Sequence, residues 1–305
     1  MGVPFRIVLY APDKETATAS ARGAFNRIKQ LNDILSDYDD DSELSRLSRT
    51  SGQGCAVKLS DDLWRVLIEA RKIAETSRGS FDVTVGPVVN LWRRARRVQR
   101  LPDSGILAEA RKAVGYNNLK LDPTDRTAKL LMPNMRLDLG GIAKGYAVDE
   151  ALKMLRARGV TRALIAGGGD LAAGDPPSGK KGWRIEIAPL DVPDAPPARF
   201  VRIANRALAT SGDVFQRVEI DGVRYSHIVD PRTGIGLFDH SLVTVIARDC
   251  TTADALATAV SVLGPKAGLK LIESTKGAAV HIVRKPGERI EVAESSRFAK
   301  HYEQN

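Results

Sequence analysis

Residues 214–229 read VFQRVEIDGVRYSHIV: seven residues of strand-forming character, the pair Asp221-Gly222, then seven more. An Asp-Gly pair supplies the two positive-φ positions of a tight hairpin turn, so Val214–Ile220 and Val223–Val229 are expected to pair antiparallel. Parallel strands would need a crossover of a dozen or more residues, which this spacing cannot hold. Working outward, Arg199–Ala204 and Leu242–Ala247 read as further strands, as do Trp183–Ile187 and Val160–Ile165. Thr251 or Thr252 can cap a helix through Leu263, followed by a helix from Pro265 to Ser274 and strands Ala278–Val283 and Arg289–Val292. Towards the N-terminus, Gly2–Tyr10 reads as a strand. Ala21, Ala24, Ile28, Leu31 and Leu35 recur at helical spacing, and Asp61 can cap a helix through Ala74. Val83–Val85 and Arg136–Leu139 read as short strands, the first ended by a Gly86-Pro87 break. Consecutive hairpins mixed with helices define an α+β protein rather than a doubly wound parallel sheet.

A chain of 305 residues suits one large domain or two joined ones. With 43% hydrophobic and 27% charged residues, disordered, collagen-like and coiled-coil polymers are excluded. The longest uncharged apolar stretches, Val83–Trp92 and Ala255–Pro265, are shorter than the roughly 18 to 20 residues a membrane helix needs. Cys55 and Cys250 lack metal-ligand spacing, so two free thiols are expected. The net charge of +9 favours anionic partners. Its densest focus is Arg93, Arg94, Arg96, Arg97 and Arg100, on a helix expected to start near Val88. Without interleaved aromatics this patch does not read as a nucleic-acid surface, and a solvated helix face is its simplest meaning.

Four polar clusters could carry chemistry. Arg136 to Gly145 (RLDLGGIAKG) sets Asp138 before a glycine pair and Lys144 in the first turn of a helix, a turn that can approach an anion or simply pack tightly. It is neither GxGxxG nor GxxxxGK[ST], which removes the Rossmann and P-loop readings. Asp254 and Thr258, four residues apart, share a helix face and offer hard oxygen ligands, although Asp near a helix start is also favoured by the helix dipole alone. His227, ahead of the turn Asp230-Pro231-Arg232-Thr233-Gly234, is either a general base or a histidine bonded within the sheet. His240, His281 and His301 have no comparable context. Thr210-Ser211-Gly212-Asp213 reads as a turn closing into the next strand.

Taken in order, YDDDSELSR (38–46), GSFDVTVGP (79–87), Leu137–Asp149, Thr210–Asp213, Ser226–Gly234 and Thr252–Thr258 resemble the ApbE family, the FAD:protein FMN transferases. The resemblance covers nearly the whole chain. It implies a two-lobed T-fold-like α+β architecture in which residues 1–305 act as one unit, and Mg2+-dependent transfer of FMN from FAD to a threonine or serine of a target flavoprotein, releasing AMP. Matched residue by residue, it implies FAD contacts at Met1, Tyr38, Ser80, Phe81, Asp82, Asp138, Lys144 and Val229. It implies metal ligation by Gly141, Asp254 and Thr258. His227 is then the expected base for the incoming hydroxyl. A Mg2+-dependent FAD pyrophosphatase and a non-catalytic flavin binder are the alternatives. Val3 and Ala166 depart from residues common in the family. The resemblance further implies an exported protein, periplasmic or tethered to the outer membrane face by a lipidated N-terminus.

Overall fold

The computed structural model describes residues 2–192, 196–213 and 217–303. In chain order the elements are β1 (Phe5–Leu9), α1 (Lys14–Leu35), α2 (Glu43–Ser48), β2 (Val57–Lys58), α3 (Asp61–Thr76), α4 (Gly86–Val98) and α5 (Ser104–Lys112). Then come β3 (Leu119–Asp122), β4 (Thr127–Leu130), α6 (Ala143–Ala157), β5 (Ala163–Gly167), β6 (Asp170–Ala173), β7 (Trp183–Ile187) and β8 (Arg199–Ile203). The chain closes with β9 (Arg206–Gly212), β10 (Arg217–Ile220), β11 (Val223–Ser226), β12 (His240–Ala247), α7 (Cys250–Ser274), β13 (Ala279–Lys285) and β14 (Glu291–Glu294). They gather into two compact units, the first of residues 1–30, 141–211 and 241–305, the second of residues 31–140 and 212–240.

The first unit is built on a seven-stranded sheet in the order β1-β5-β6-β9-β12-β13-β14. Its inner strands β5, β6, β9, β12 and β13 carry the buried positions while the edge strands β1 and β14 stay partly exposed, and the period of two along each strand divides the core. Phe5, Ile7, Ile165, Ala172 and Ala207 point to one side, where they meet Ala24 and Ile28 of α1 and Val148, Ala151 and Leu155 of α6. Val8, Leu164, Leu171, Ala173 and Leu208 point to the other, against Trp183, Ile185, Val201 and Ile203 of the β7–β8 hairpin and the buried Phe298. The β5–β6 hairpin turns on Gly168 and Gly169, both at positive φ (61° and 98°), a geometry glycine adopts without strain. Helix α7 is long and apolar enough to cross a membrane by composition, but it serves as a core helix here, and Gly264 (φ 71°, ψ 177°) breaks it at the boundary the sequence suggests.

The second unit packs α4 and α5 against the β10–β11 hairpin around Val88, Trp92, Ala95, Val218, Ile220 and Val229. A small sheet, β2-β4-β3, lies in the same unit. The Asp221-Gly222 turn forms as expected, with Ile220 paired to Val223 and φ of 51° and 74° at the two turn residues. Residues 214–216 of the expected first strand lie outside the described residues.

Several local expectations are corrected. Val83–Val85 and Arg136–Leu139 are not strands: they share one isolated parallel bridge, Val85 to Arg136, and one bond from the Asp138 amide to the Val83 carbonyl at 2.8 Å. The Asp82 carboxylate turns the first segment by accepting from the Thr84 amide (2.8 Å) and hydroxyl (2.7 Å). Gly86-Pro87 begins α4 rather than breaking the chain, since proline fits a first helical turn, and a Cβ on Gly86 would lie 2.4 Å from the Arg136 carbonyl oxygen. Ser60 rather than Asp61 caps α3, and Asp249 rather than Thr251 or Thr252 caps α7.

Candidate functional site

In the first unit, the glycine turn and the Asp254 helix are fastened together by their own sequence. Gly145, in the first turn of α6, has no Cβ because one would lie 2.3 Å from the Cys250 carbonyl oxygen, so glycine lets α6 rest against the start of α7. Asp149, one turn on, accepts from the Cys250 amide (2.8 Å), the Thr251 amide (2.8 Å) and the Thr251 hydroxyl (2.6 Å), capping α7 from a neighbouring helix. The consequence is a buried charge cluster. Lys144 Nζ lies 2.8 Å from Asp170 and 3.1 Å from Asp254, and the Gly145 amide donates to Asp254 at 3.2 Å. Both carboxylates are buried, at 2% exposure each.

The electrostatics follow from two acids sharing one base. Burial by itself would lower the Lys144 ammonium, but Asp254 and Asp170 outweigh it and hold the group charged, well above its ordinary range. Burial and the neighbouring Asp254 charge push the Asp170 carboxyl up to about 8, against the pull of Lys144. Such a cluster has room for a further positive charge. Thr258 stands one turn beyond Asp254 on α7, and Gly141 lies in the turn before α6. Carboxylate, hydroxyl and backbone carbonyl are all hard oxygen donors, which fits Mg2+ and not a thiolate- or imidazole-seeking metal. Among the described residues no group of three or more His, Cys, Asp and Glu could hold an ion, so protein carbonyl, hydroxyl and water oxygens would complete the shell. Asp170 ends the run Gly167-Gly168-Gly169-Asp170, and no local pattern reveals its partner. The β5–β6 turn delivers it to Lys144.

The second unit contains another cluster. Arg93 is not on a solvated face: its guanidinium pairs with Asp37 at 2.5 Å and Asp138 at 2.8 Å and lies 4.2 Å from the centre of the Tyr38 ring. Burial, reinforced by the charge of Asp37, raises the Asp138 carboxyl despite Arg93. Its other oxygen accepts from the Gly140 amide at 2.7 Å, which shapes the approach to the glycine pair. Arg136 donates to the Asp37 carbonyl at 2.7 Å. Thus Tyr38, 77% exposed, is backed by a fixed cation. Ser80, Phe81 and Asp82 are buried, and the Asp82 carboxylate is engaged by Thr84 and by the Tyr116 amide (2.7 Å), so that side chain holds the turn.

His227 follows β11 directly and is half-buried. The backbone pairing continues past it: the Ser226 amide donates to Leu237 (2.6 Å), the Leu237 amide to Ile228 (2.8 Å), and Val229 bridges Gly236. Trp92 of α4 donates its indole N–H to the Ser226 carbonyl at 3.0 Å, pinning the residue before His227. Asp213, expected merely to close a turn, is buried and takes Arg224 at 2.5 Å and His240 Nδ1 at 2.6 Å, which gives His240 the context it lacked in sequence. His281 likewise meets Glu294 at 2.9 Å. Met1 lies outside the described residues.

A family model described as the ApbE family matches residues 1–282. The chain belongs to the ApbE family. ApbE relatives named FAD:protein FMN transferase include one from Haemophilus influenzae, 33% identical over 263 residues that cover 84% of this chain and 76% of the relative. Another, from Vibrio cholerae, is 34% identical over 273 residues, 88% of this chain and 80% of the relative. The solved structure of the flavin transferase ApbE from Vibrio cholerae superposes with a TM-score of 0.86 at 30% identity, covering 99% of this chain and 96% of that one. Its α+β fold is therefore that of ApbE flavin transferases.

Proposed function

We propose that this chain is a Mg2+-dependent FAD:protein FMN transferase, moving FMN from FAD to a threonine or serine hydroxyl of an acceptor flavoprotein. The observation that carries this reading, within an ApbE chain, is the buried Lys144–Asp170–Asp254 cluster at the glycine turn. A divalent cation bound through Asp254, Thr258 and Gly141 would neutralise charge on the pyrophosphate oxygens of FAD. Lys144, held charged, offers a second positive group to the same oxygens. His227 takes the proton of the acceptor hydroxyl as its oxygen bonds to the FMN phosphorus. The bond from that phosphorus to the AMP oxygen breaks, and AMP leaves. Tyr38 and Asp138, fixed by Arg93, contact the dinucleotide.

The test mixes protein, FAD and Mg2+ with and without an acceptor domain carrying a flavinylation threonine, and follows AMP release and covalent flavin fluorescence on the acceptor. Covalent flavin is the expected result; AMP released equally without acceptor would mean a pyrophosphatase, and neither product a passive binder. Asp254→Ala should lose Mn2+ binding, read by electron paramagnetic resonance, together with turnover. His227→Ala should bind FAD and Mn2+ normally but transfer at least about 100-fold more slowly, as expected for loss of a general base. A wild-type rate in that variant removes His227 from the mechanism.

A further inference from the structure

The second unit holds a concavity of about 800 Å3 walled by Arg93, Arg96, Arg97, Arg217 and Arg224, with Glu219 the one carboxylate of its lining among the described residues. Positions 93, 96 and 97 project from one side of α4, away from the Val88, Trp92 and Ala95 face that enters the core. Three like charges at i, i+3 and i+4 repel one another along a helix, offset in part for Arg96 and Arg97 by the helix C-terminus. Arg93 and Arg224 are fixed by Asp37, Asp138 and Asp213, which orient them. Arg96 and Arg97 have no carboxylate partner among the described residues. Low-dielectric walls around a concave array of one sign concentrate its field, and guanidinium forks match carboxylates in bidentate geometry. A concavity walled by guanidinium groups suits carboxylate side chains, which can be gripped by more than one fork at once. Tyr38 stands in the same lining.

We propose that this arginine-walled pocket receives the acidic side chains of the acceptor protein's segment next to its flavinylated residue. The identity of the partner rests on the transferase reading; the binding chemistry does not. The probe is a short fluorescein-labelled peptide with a central threonine flanked by Asp and Glu, compared with its Asn/Gln counterpart by fluorescence anisotropy in the absence of FAD. The acidic peptide should bind, should weaken as NaCl is raised, and should bind about tenfold less tightly (~1.4 kcal/mol) to the Arg96→Gln/Arg97→Gln double variant. Lys112→Gln/Lys120→Gln, which removes equal charge outside the pocket, should bind it like wild type, and thermal melts verify folding of each variant. Equal binding of both peptides, no binding of the acidic one, or undiminished binding to the double variant overturns the proposal. So does tighter binding of vesicles containing anionic lipid or of a short DNA duplex that the same double variant loses. Peptide binding without covalent flavin on any acceptor would refute the transferase reading and leave the pocket assignment standing.

Discussion

Two basic residues of the first unit show how neighbours decide protonation. Lys144 sits between Asp170 and Asp254 and is held charged. His301 has the opposite surroundings: burial, with Arg206 and Lys300 nearby, lowers its pKa from 6.5 to about 4, so it stays neutral at neutral pH. The native state therefore binds fewer protons than the unfolded chain between about pH 4 and 6.5. Stability from this group is complete above the unfolded pKa and is lost as pH falls through that window. Thermal melts from pH 7 to 4.5 should show the wild-type midpoint dropping more steeply than that of His301→Gln, whose side chain cannot titrate. Parallel curves would show that His301 takes up its proton as readily in the native state as in the unfolded chain.

At the level of elements, α4 was legible as a helix, and its two most consequential contacts were not. Periodicity reports which face of a helix is apolar, and that suffices for Val88, Trp92 and Ala95. It carries no information about Ser226, separated from Trp92 by 134 positions, or about Asp138, separated from Arg93 by 45. The same limit explains Asp170 and the Asp213–His240 pair, whose partners are set by sheet order and hairpin register. Hairpins with strong turn chemistry, such as Asp221-Gly222, and the α7 break at Gly264-Pro265 were legible because their causes are local. The long-range bond from Trp92 yields a test of α4 as the support of the His227 segment. Trp92→Phe keeps most of the apolar volume but removes the donor from a buried carbonyl, at a cost of about 1–3 kcal/mol. Urea unfolding should report that loss, and flavin transfer should slow while Mn2+ binding, proposed for the first unit, remains unchanged.

Across the whole molecule, neither unit is continuous in sequence: the first is assembled from three segments and the second from two. Within the second unit, residues 212–240 complete a core that residues 31–140 begin, because Val218, Ile220 and Val229 cover Val88, Trp92 and Ala95. With that cover Trp92 is 1% exposed, and its ring lies edge-on to Tyr225 at 5.4 Å. A fragment of residues 31–140 made alone would leave this apolar face of α4 in water, and burying a large side chain is worth roughly 1.5–3 kcal/mol for each one lost. That is a substantial share of the stability of a small unit, about 5–15 kcal/mol for native domains in general. The fragment is expected to lack the near-ultraviolet circular dichroism of a fixed Trp92 and to bind a hydrophobic dye. Joining residues 212–240 to it through a flexible glycine-serine linker should restore the signal and a cooperative melt. Native-like dichroism in the shorter fragment would mean that α4 finds its packing without the hairpin, and that the His227 segment is seated on a core formed before it arrives.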